Sequence, residues 1–240
     1  MFEIEKIKGI IFDYGATIDT NGVHWAEVIW QAYGNLQIPV AKEDFRNAYV
    51  HGERTLATNR LVNPKHNFWH VLRMKAQAQV DWLEANGHLA PSVACPAKIA
   101  DWCYAYAQIA TNTARPLLKK LSEKYPLILV TNFYGNINAV LEDFYLRDFF
   151  SIVVESAIAG VRKPNPEIFR TGVEKAGLTP GEVVVIGDSY DKDIAPAATI
   201  GCPTIWLKNT GWTAPQGDET ADLTISRFEE LEGIFFQVEN

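Results

Sequence analysis

The chain has 240 residues, of which 48% are apolar, enough for a packed interior and too many for a disordered segment. Its formal net charge of -7 argues against a nucleic-acid surface, which needs clustered Lys and Arg. The start, MFEIEKIKG, has no long apolar run, so neither a signal peptide nor a membrane span is expected, and the widely spaced Cys95, Cys103 and Cys202 fit reduced thiols in a cytoplasmic protein.

In chain order, IKGIIFDYGAT at 7–17 comes first. Ile10, Ile11 and Phe12 read as a buried strand that ends in Asp13. In an open parallel α/β sheet, ligands bind outside the carboxyl ends of the strands, so Asp13 is a candidate nucleophile or metal ligand. A lone Asp there can also be a turn former or helix cap.

From Gly22 to about Thr111 the apolar period is helical: Trp25, Ile29, Tyr33 and Leu36, then Trp69, Leu72, Ala76, Val80 and Leu83, then Ile99, Trp102, Cys103 and Tyr106. Pro39, Pro64, Pro91 and Pro96 mark loops, and Asn86-Gly87 marks a helix stop. This block holds all five histidines, His24, His51, His66, His70 and His88. His66 and His70 have a zinc-compatible spacing but no evident third ligand, so they read as a solvated pair.

From Arg115 onward helices alternate with short apolar strands at 127–130, 152–154, 183–186 and 204–207, the pattern of a doubly wound parallel sheet. Three polar stretches fall at the same edge as Asp13. LVTN brings Thr131 and Asn132, which can cap a helix or face an oxyanion. VRKPNPEIF holds Lys163 on a support stiffened by Pro164 and Pro166, with Asn165 placed to cap the next helix. VVVIGDSYDKDI turns at Gly187 and supplies Asp188 and Asp193, with Asp191 competing for the role of Asp193. Two such carboxylates facing Asp13 would repel unless a cation sat between them, and carboxylate oxygens suit Mg²⁺.

Taken together, DYGAT, VTN, RKPNPEIF and GDSYDKD resemble the four signature motifs of the haloacid dehalogenase superfamily of phosphatases and related hydrolases. The resemblance implies a Rossmann-like α/β core at 1–18 and 112–240, with an all-helical cap at 19–111. It makes Asp13 the nucleophile that forms an aspartyl-phosphate. Thr131, Asn132 and Lys163 would bind the phosphoryl group, and Lys163 would also restrain Asp13. Asp13, Asp188, Asp193 and the carbonyl of Gly15 would hold Mg²⁺. The implied partner is a small phosphorylated metabolite, acted on by a monomer or homodimer without nucleic acid or membrane.

One position departs from the pattern. The family's phosphatases usually carry a second Asp two residues after the nucleophile, to protonate the leaving group and then activate water; here that position is Gly15. Asp19 or His24 could replace it, or the substrate could need no acid. C–P bond cleavage is a further reading, requiring a cap lysine among Lys42, Lys65, Lys75 and Lys98. Dehalogenation fits less well, because that branch carries Tyr at this position and uses no metal. A non-catalytic binding or regulatory protein that keeps the pocket is the reading from another class.

Overall fold

The structure is a computed structural model that describes residues 3–209 and 220–236. The expected core thus includes residues 1–2, 210–219 and 237–240, which lie outside the described residues. Strand β1 (Gly9–Phe12) is followed by four helices, α1 (Trp25–Asn35), α2 (Lys42–Asn59), α3 (Phe68–Ala85) and α4 (Pro96–Ser122). Then come β2 (Leu127–Thr131), α5 (Ile137–Asp143), β3 (Phe150–Glu155), α6 (Ser156–Ala159), α7 (Glu167–Lys175), β4 (Val183–Gly187), α8 (Ala195–Thr199), β5 (Thr204–Leu207), β6 (Leu223–Ile225) and α9 (Leu231–Phe235).

The strands form one sheet in the order β3-β2-β1-β4-β5-β6, with every neighbouring pair parallel. β1 lies inside the sheet and is buried throughout, which is why it reads as an unbroken apolar run. Alternate residues feed opposite faces: Ile10 and Phe12 join the cluster that includes the helical block, while Ile11 packs with Ile168, Phe169 and Val173 of α7. Strand order reverses between β1 and β4, so the crevice of a doubly wound sheet opens where Asp13 and Asp188 emerge.

All five strands expected from the sequence are present, each within two residues of its expected bounds. β6 was not anticipated, because Thr224 interrupts its three residues and is exposed, so they form no apolar run. The helical block packs largely as its periodicity predicts. Trp25, Ile29, Tyr33, Leu72, Ala76, Val80, Leu83, Ile99 and Cys103 are all buried. α3 stops at Ala85, with Asn86 as its cap and Gly87 at φ +74°.

Three details differ. Pro96 begins α4 instead of lying in a loop, because a residue at the first helical position needs no intrahelical N–H. Trp102 and Tyr106 stack on each other half-exposed, 5.7 Å between ring centroids, while the buried stripe continues through Ala107, Thr111, Ala114 and Leu118. α4 therefore runs unbroken across the expected boundary between residues 111 and 112. Among the described residues, no helix is long and apolar enough to cross a membrane.

Candidate active site

Asp13 directly follows β1, and its N–H donates to Ile186 O at 2.9 Å, which ties it to β4. The chain then turns sharply. Ala16 has φ +68° and donates its N–H to Asp19 Oδ1 at 2.7 Å, while Tyr14 is buried edge-on against Phe68 and Phe133. The turn returns Thr17 to Asp13. Thr17 Oγ1 lies 3.3 Å from Asp13 Oδ2 and 3.2 Å from Asp188 Oδ1, and it accepts the N–H of Asp188 at 3.1 Å. With one hydroxyl proton, Thr17 serves one carboxylate at a time.

Lys163, only 4% exposed, is the cation of the site. Its Nζ donates to Asp13 Oδ1 at 2.5 Å and to Asp193 Oδ1 at 2.6 Å. The Asn132 amide fixes the lysine's backbone: Oδ1 accepts from Lys163 N at 2.9 Å and Nδ2 donates to Lys163 O at 3.0 Å. Asn132 thus spends its side chain on positioning Lys163. The N–H of Phe133, one residue further, is taken by Ser156 Oγ at 3.2 Å. Thr131 ends β2 almost fully buried, at 1% exposure. Asn165 Oδ1 accepts the N–H of Glu167 at 3.0 Å and so caps α7.

After β4 the chain makes a single π-helical turn, Tyr190–Ile194, which folds Asp193 back over Gly187. A Cβ on Gly187 would lie 2.5 Å from Asp193 Cβ, so a side chain is excluded there. Asp193 is buried and its Oδ2 accepts from Ser189 N at 3.1 Å, whereas Asp191 is exposed. The Asp188 carbonyl accepts from Trp206 Nε1 on β5 at 2.8 Å.

Asp13, Asp188 and Asp193 each present an oxygen within 4.8 Å of the others, the one such group among the described residues. Three carboxyl groups face one ammonium, so full ionisation would leave two negative charges in excess. Burial, partly offset by Lys163 and reinforced by Asp193, pushes the Asp13 carboxyl up to about 6. Burial and then the charges of Asp193 and Asp13 drive Asp188 well above the usual carboxylate range. Burial alone would lower Lys163, but Asp13 and Asp193 outweigh it and hold its ammonium above the usual lysine range. A buried, oxygen-only, electron-rich site of this kind fits a hard divalent cation.

Gly15 has open space around it: an added Cβ would meet nothing within 4 Å. The two expected substitutes for a side chain there are both committed elsewhere. Asp19 is fully buried, with Oδ1 on Ala16 N and Oδ2 accepting from Trp25 Nε1 at 3.0 Å, and burial pushes it up to about 8. His24 Nδ1 caps α1 by accepting from Ala26 N at 3.1 Å. Burial, and then the charge of Lys192, bring His24 down to about 4, so at neutral pH its proton sits on Nε2.

Of the four cap lysines considered, Lys42, Lys65 and Lys98 are exposed. Lys75 instead pairs with Glu53 Oε1 at 2.7 Å beside the core, where Tyr134 donates its hydroxyl proton to Glu53 Oε2 at 3.0 Å. His66 and His70 stack at 5.0 Å and use their Nδ1 atoms locally, on Asn63 N and Asn67 Oδ1.

A parallel sheet that brings four motifs to one switch point, around an aspartate held by a buried lysine, defines a hydrolase class known from many relatives. A model of the haloacid dehalogenase-like hydrolases matches residues 7–201, and the chain belongs to that family. Over 86 residues it is 36% identical to the glyceraldehyde 3-phosphate phosphatase of Methanocaldococcus jannaschii, covering 36% of this chain and 38% of that protein. Over 132 residues it is 33% identical to the pyrimidine 5'-nucleotidase YjjG of Escherichia coli, covering 53% and 58%. The matched parts thus span well under two thirds of these curated relatives. Among solved structures, YfnB from Bacillus subtilis, described as a HAD-hydrolase and bound to magnesium, shares the fold with a TM-score of 0.60 and 18% identity, over 96% of this chain and 99% of that one.

Proposed function

We propose that the chain is a Mg²⁺-dependent phosphatase of a small phosphorylated metabolite, with Asp13 as the nucleophile. The observation that carries this reading is the ammonium of Lys163, which bridges Asp13 and Asp193 at the switch point inside a group of three carboxylates. A lysine pinned on both sides holds the Asp13 carboxylate in one orientation and presents positive charge where phosphoryl oxygens would gather. The curated relatives named as phosphatases of alkyl phosphates point the same way.

In the proposed reaction an Asp13 carboxylate oxygen bonds to phosphorus as the ester P–O bond breaks, and the electron pair leaves with the alcohol oxygen. Water then attacks phosphorus, releasing inorganic phosphate and restoring Asp13. Thr131 and Lys163 face the transferring group, Asn132 keeps Lys163 in place, and Thr17 steadies whichever carboxylate it serves. Asp13, Asp188, the Gly15 carbonyl and Asp193, the last directly or in support, are the residues that would hold Mg²⁺. When bound, the cation supplies charge neutralisation for the phosphoryl oxygens. Residues 1–18 and 112–240 form the catalytic core in this reading, and 19–111 the cap, with α4 as the helix that joins them.

Gly15 has no proton to give. General acid–base help is worth about 10² to 10⁴ in rate, so leaving groups that depart without a proton should react far faster than alkoxides. C–P cleavage through a cap-lysine imine is disfavoured: burial alone would lower Lys75, but Glu53 outweighs it and keeps the ammonium protonated above the usual range.

The test is hydrolysis of an aryl phosphate with Mg²⁺ or with chelator, by the native chain and Asp13→Asn. Mg²⁺-dependent turnover that falls by on the order of 10⁴ in the variant is expected. Turnover that persists in Asp13→Asn, or is absent from the native chain, overturns the reading.

A further inference from the structure

The group formed by Glu53, Lys75 and Tyr134 has no part in the chemistry above, yet it sits where the helical block meets the catalytic edge. Tyr134 lies three residues beyond Thr131, and its ring is 5.3 Å from that of Phe133, which packs on Tyr14 beside Asp13. Glu53 and Lys75 reach it from α2 and α3. Tyr49, one turn before Glu53, is buried and held well above its usual range by that burial, then by Glu53, with the Asp188 charge contributing as well.

The pair is not sealed. Lys75 and Glu53 keep 12% and 32% of their side-chain surface exposed. Both Glu53 oxygens are engaged, one by Lys75 and the other by Tyr134. Burial would raise the Glu53 carboxyl, but Lys75 outweighs it and keeps Glu53 charged. An ammonium has three N–H donors; with one on Glu53 Oε1 and the Tyr134 ring centroid 5.3 Å from Nζ, at least one is left for a ligand oxygen. The group as a whole is neutral, and any oxygen that reaches Lys75 must approach beside the Glu53 carboxylate.

We propose that Glu53, Lys75 and Tyr134 form the subsite for the organic part of the phosphate ester, and that it favours uncharged hydroxyl or carbonyl groups over carboxylates. A hydroxyl or carbonyl oxygen accepts from Lys75 without cost, whereas a carboxylate meets like charge at Glu53 with no cation left over. The inference rests on the phosphatase reading, which supplies the phosphoryl end of the ligand. A latch that merely fixed the helices to the core would be indifferent to the charge of the ester.

The test compares glycerol 3-phosphate with phosphoglycolate, two alkyl esters on which the missing acid acts alike. Affinities are measured by calorimetry in Mg²⁺ on the full Asp13→Asn chain, with and without Glu53→Gln, beside kcat/KM on the native protein. Glycerol 3-phosphate is expected to bind at least about tenfold more tightly, and Glu53→Gln to narrow that ratio by about tenfold while leaving the affinity for inorganic phosphate unchanged. Equal affinities, tighter phosphoglycolate, binding of neither ester, or a ratio that Glu53→Gln does not move overturns the subsite. Should Glu53→Gln fail to fold, the ratio in the unsubstituted cap still decides. Failure of the native chain to turn over any ester counts against the phosphatase reading alone, because the affinity ratio is read without turnover.

Discussion

The molecule holds two ionic clusters about one sheet edge, one largely buried and one half-buried, and they are balanced differently. In the core, Asp13 and Asp193 share the single ammonium of Lys163, and Asp188 stands beside them on Thr17. At the cap, Glu53 and Lys75 match one for one, and Tyr134 completes the carboxylate's partners. The cap pair satisfies itself, so it can select a ligand without requiring one. The core group keeps repulsion that its one ammonium does not relieve, and the proposed divalent cation would relieve it.

The largest expected effect comes from restoring what the core lacks. Gly15 has room for a side chain, so Gly15→Asp should raise turnover of alkyl phosphates by about 10² to 10⁴ and that of aryl phosphates far less. Steady-state kinetics on the two ester classes checks this; an equal rise on both would mean that the new carboxylate changes the metal site and not proton transfer. Next is Gly187→Ala. Its Cβ would collide with Asp193 at 2.5 Å, displacing the carboxylate that shares Lys163 and costing about 1–3 kcal/mol by denaturant unfolding. The same measurement on Gly34→Ala, where nothing lies within 4 Å, supplies the contrast.

These two glycines also show what the sequence could reveal. Asp13, Asp188 and Asp193 were legible because each follows an apolar strand whose end the sheet brings to one edge, and Lys163 because Pro164 and Pro166 stiffen the stretch that holds it. The choice between Asp191 and Asp193 was not, because only the π turn decides which one folds back over Gly187. Thr17 could have been found: it stands four residues after Asp13 in the same turn. Asn132 was read as facing phosphate, but its amide reaches Lys163, 31 positions away, and a side chain able to do either job gives no local sign of its choice. The pairing of Glu53 with Lys75, which the sequence offered only as one of four lysines, was hidden for a related reason. They lie on separate helices, and the rotation of α2 against α3 is set by packing that no single-sequence period fixes.

The charge imbalance of the core has a thermal consequence. Asp188→Asn removes a carboxyl whose charged form burial and its carboxylate neighbours penalise, from a group whose one ammonium, Lys163, is spent on Asp13 and Asp193 when chelator is present. It should therefore raise Tm in chelator by a few degrees, the shift that about 1 kcal/mol produces in a chain of this size, and abolish the further rise on adding Mg²⁺. Asp44, which approaches His88 at 3.2 Å on the cap, is the control: Asp44→Asn should leave the Mg²⁺ response intact. A lowered Tm for Asp188→Asn would mean that its bond with Thr17 outweighs the repulsion.

The smallest effect lies at His24, at the start of α1. Its imidazole is brought from an ordinary value of about 6.5 down to about 4 by burial first and the Lys192 charge second. Below about pH 6.5 the unfolded chain takes up this proton before the folded one. The stability His24 contributes is therefore full above that pH and is lost as pH falls toward 4. His24→Asn keeps an acceptor for the Ala26 N–H but does not titrate, so its Tm should fall less steeply across that window than the native chain's. Parallel curves would show that the folded imidazole protonates as readily as the unfolded one. The same variant addresses the missing acid: Nδ1 is spent on the helix and only Nε2 carries a proton at neutral pH, so the ratio of aryl to alkyl turnover should stay at its native value. A ratio that rises in His24→Asn would make Nε2 the proton donor that Gly15 cannot be.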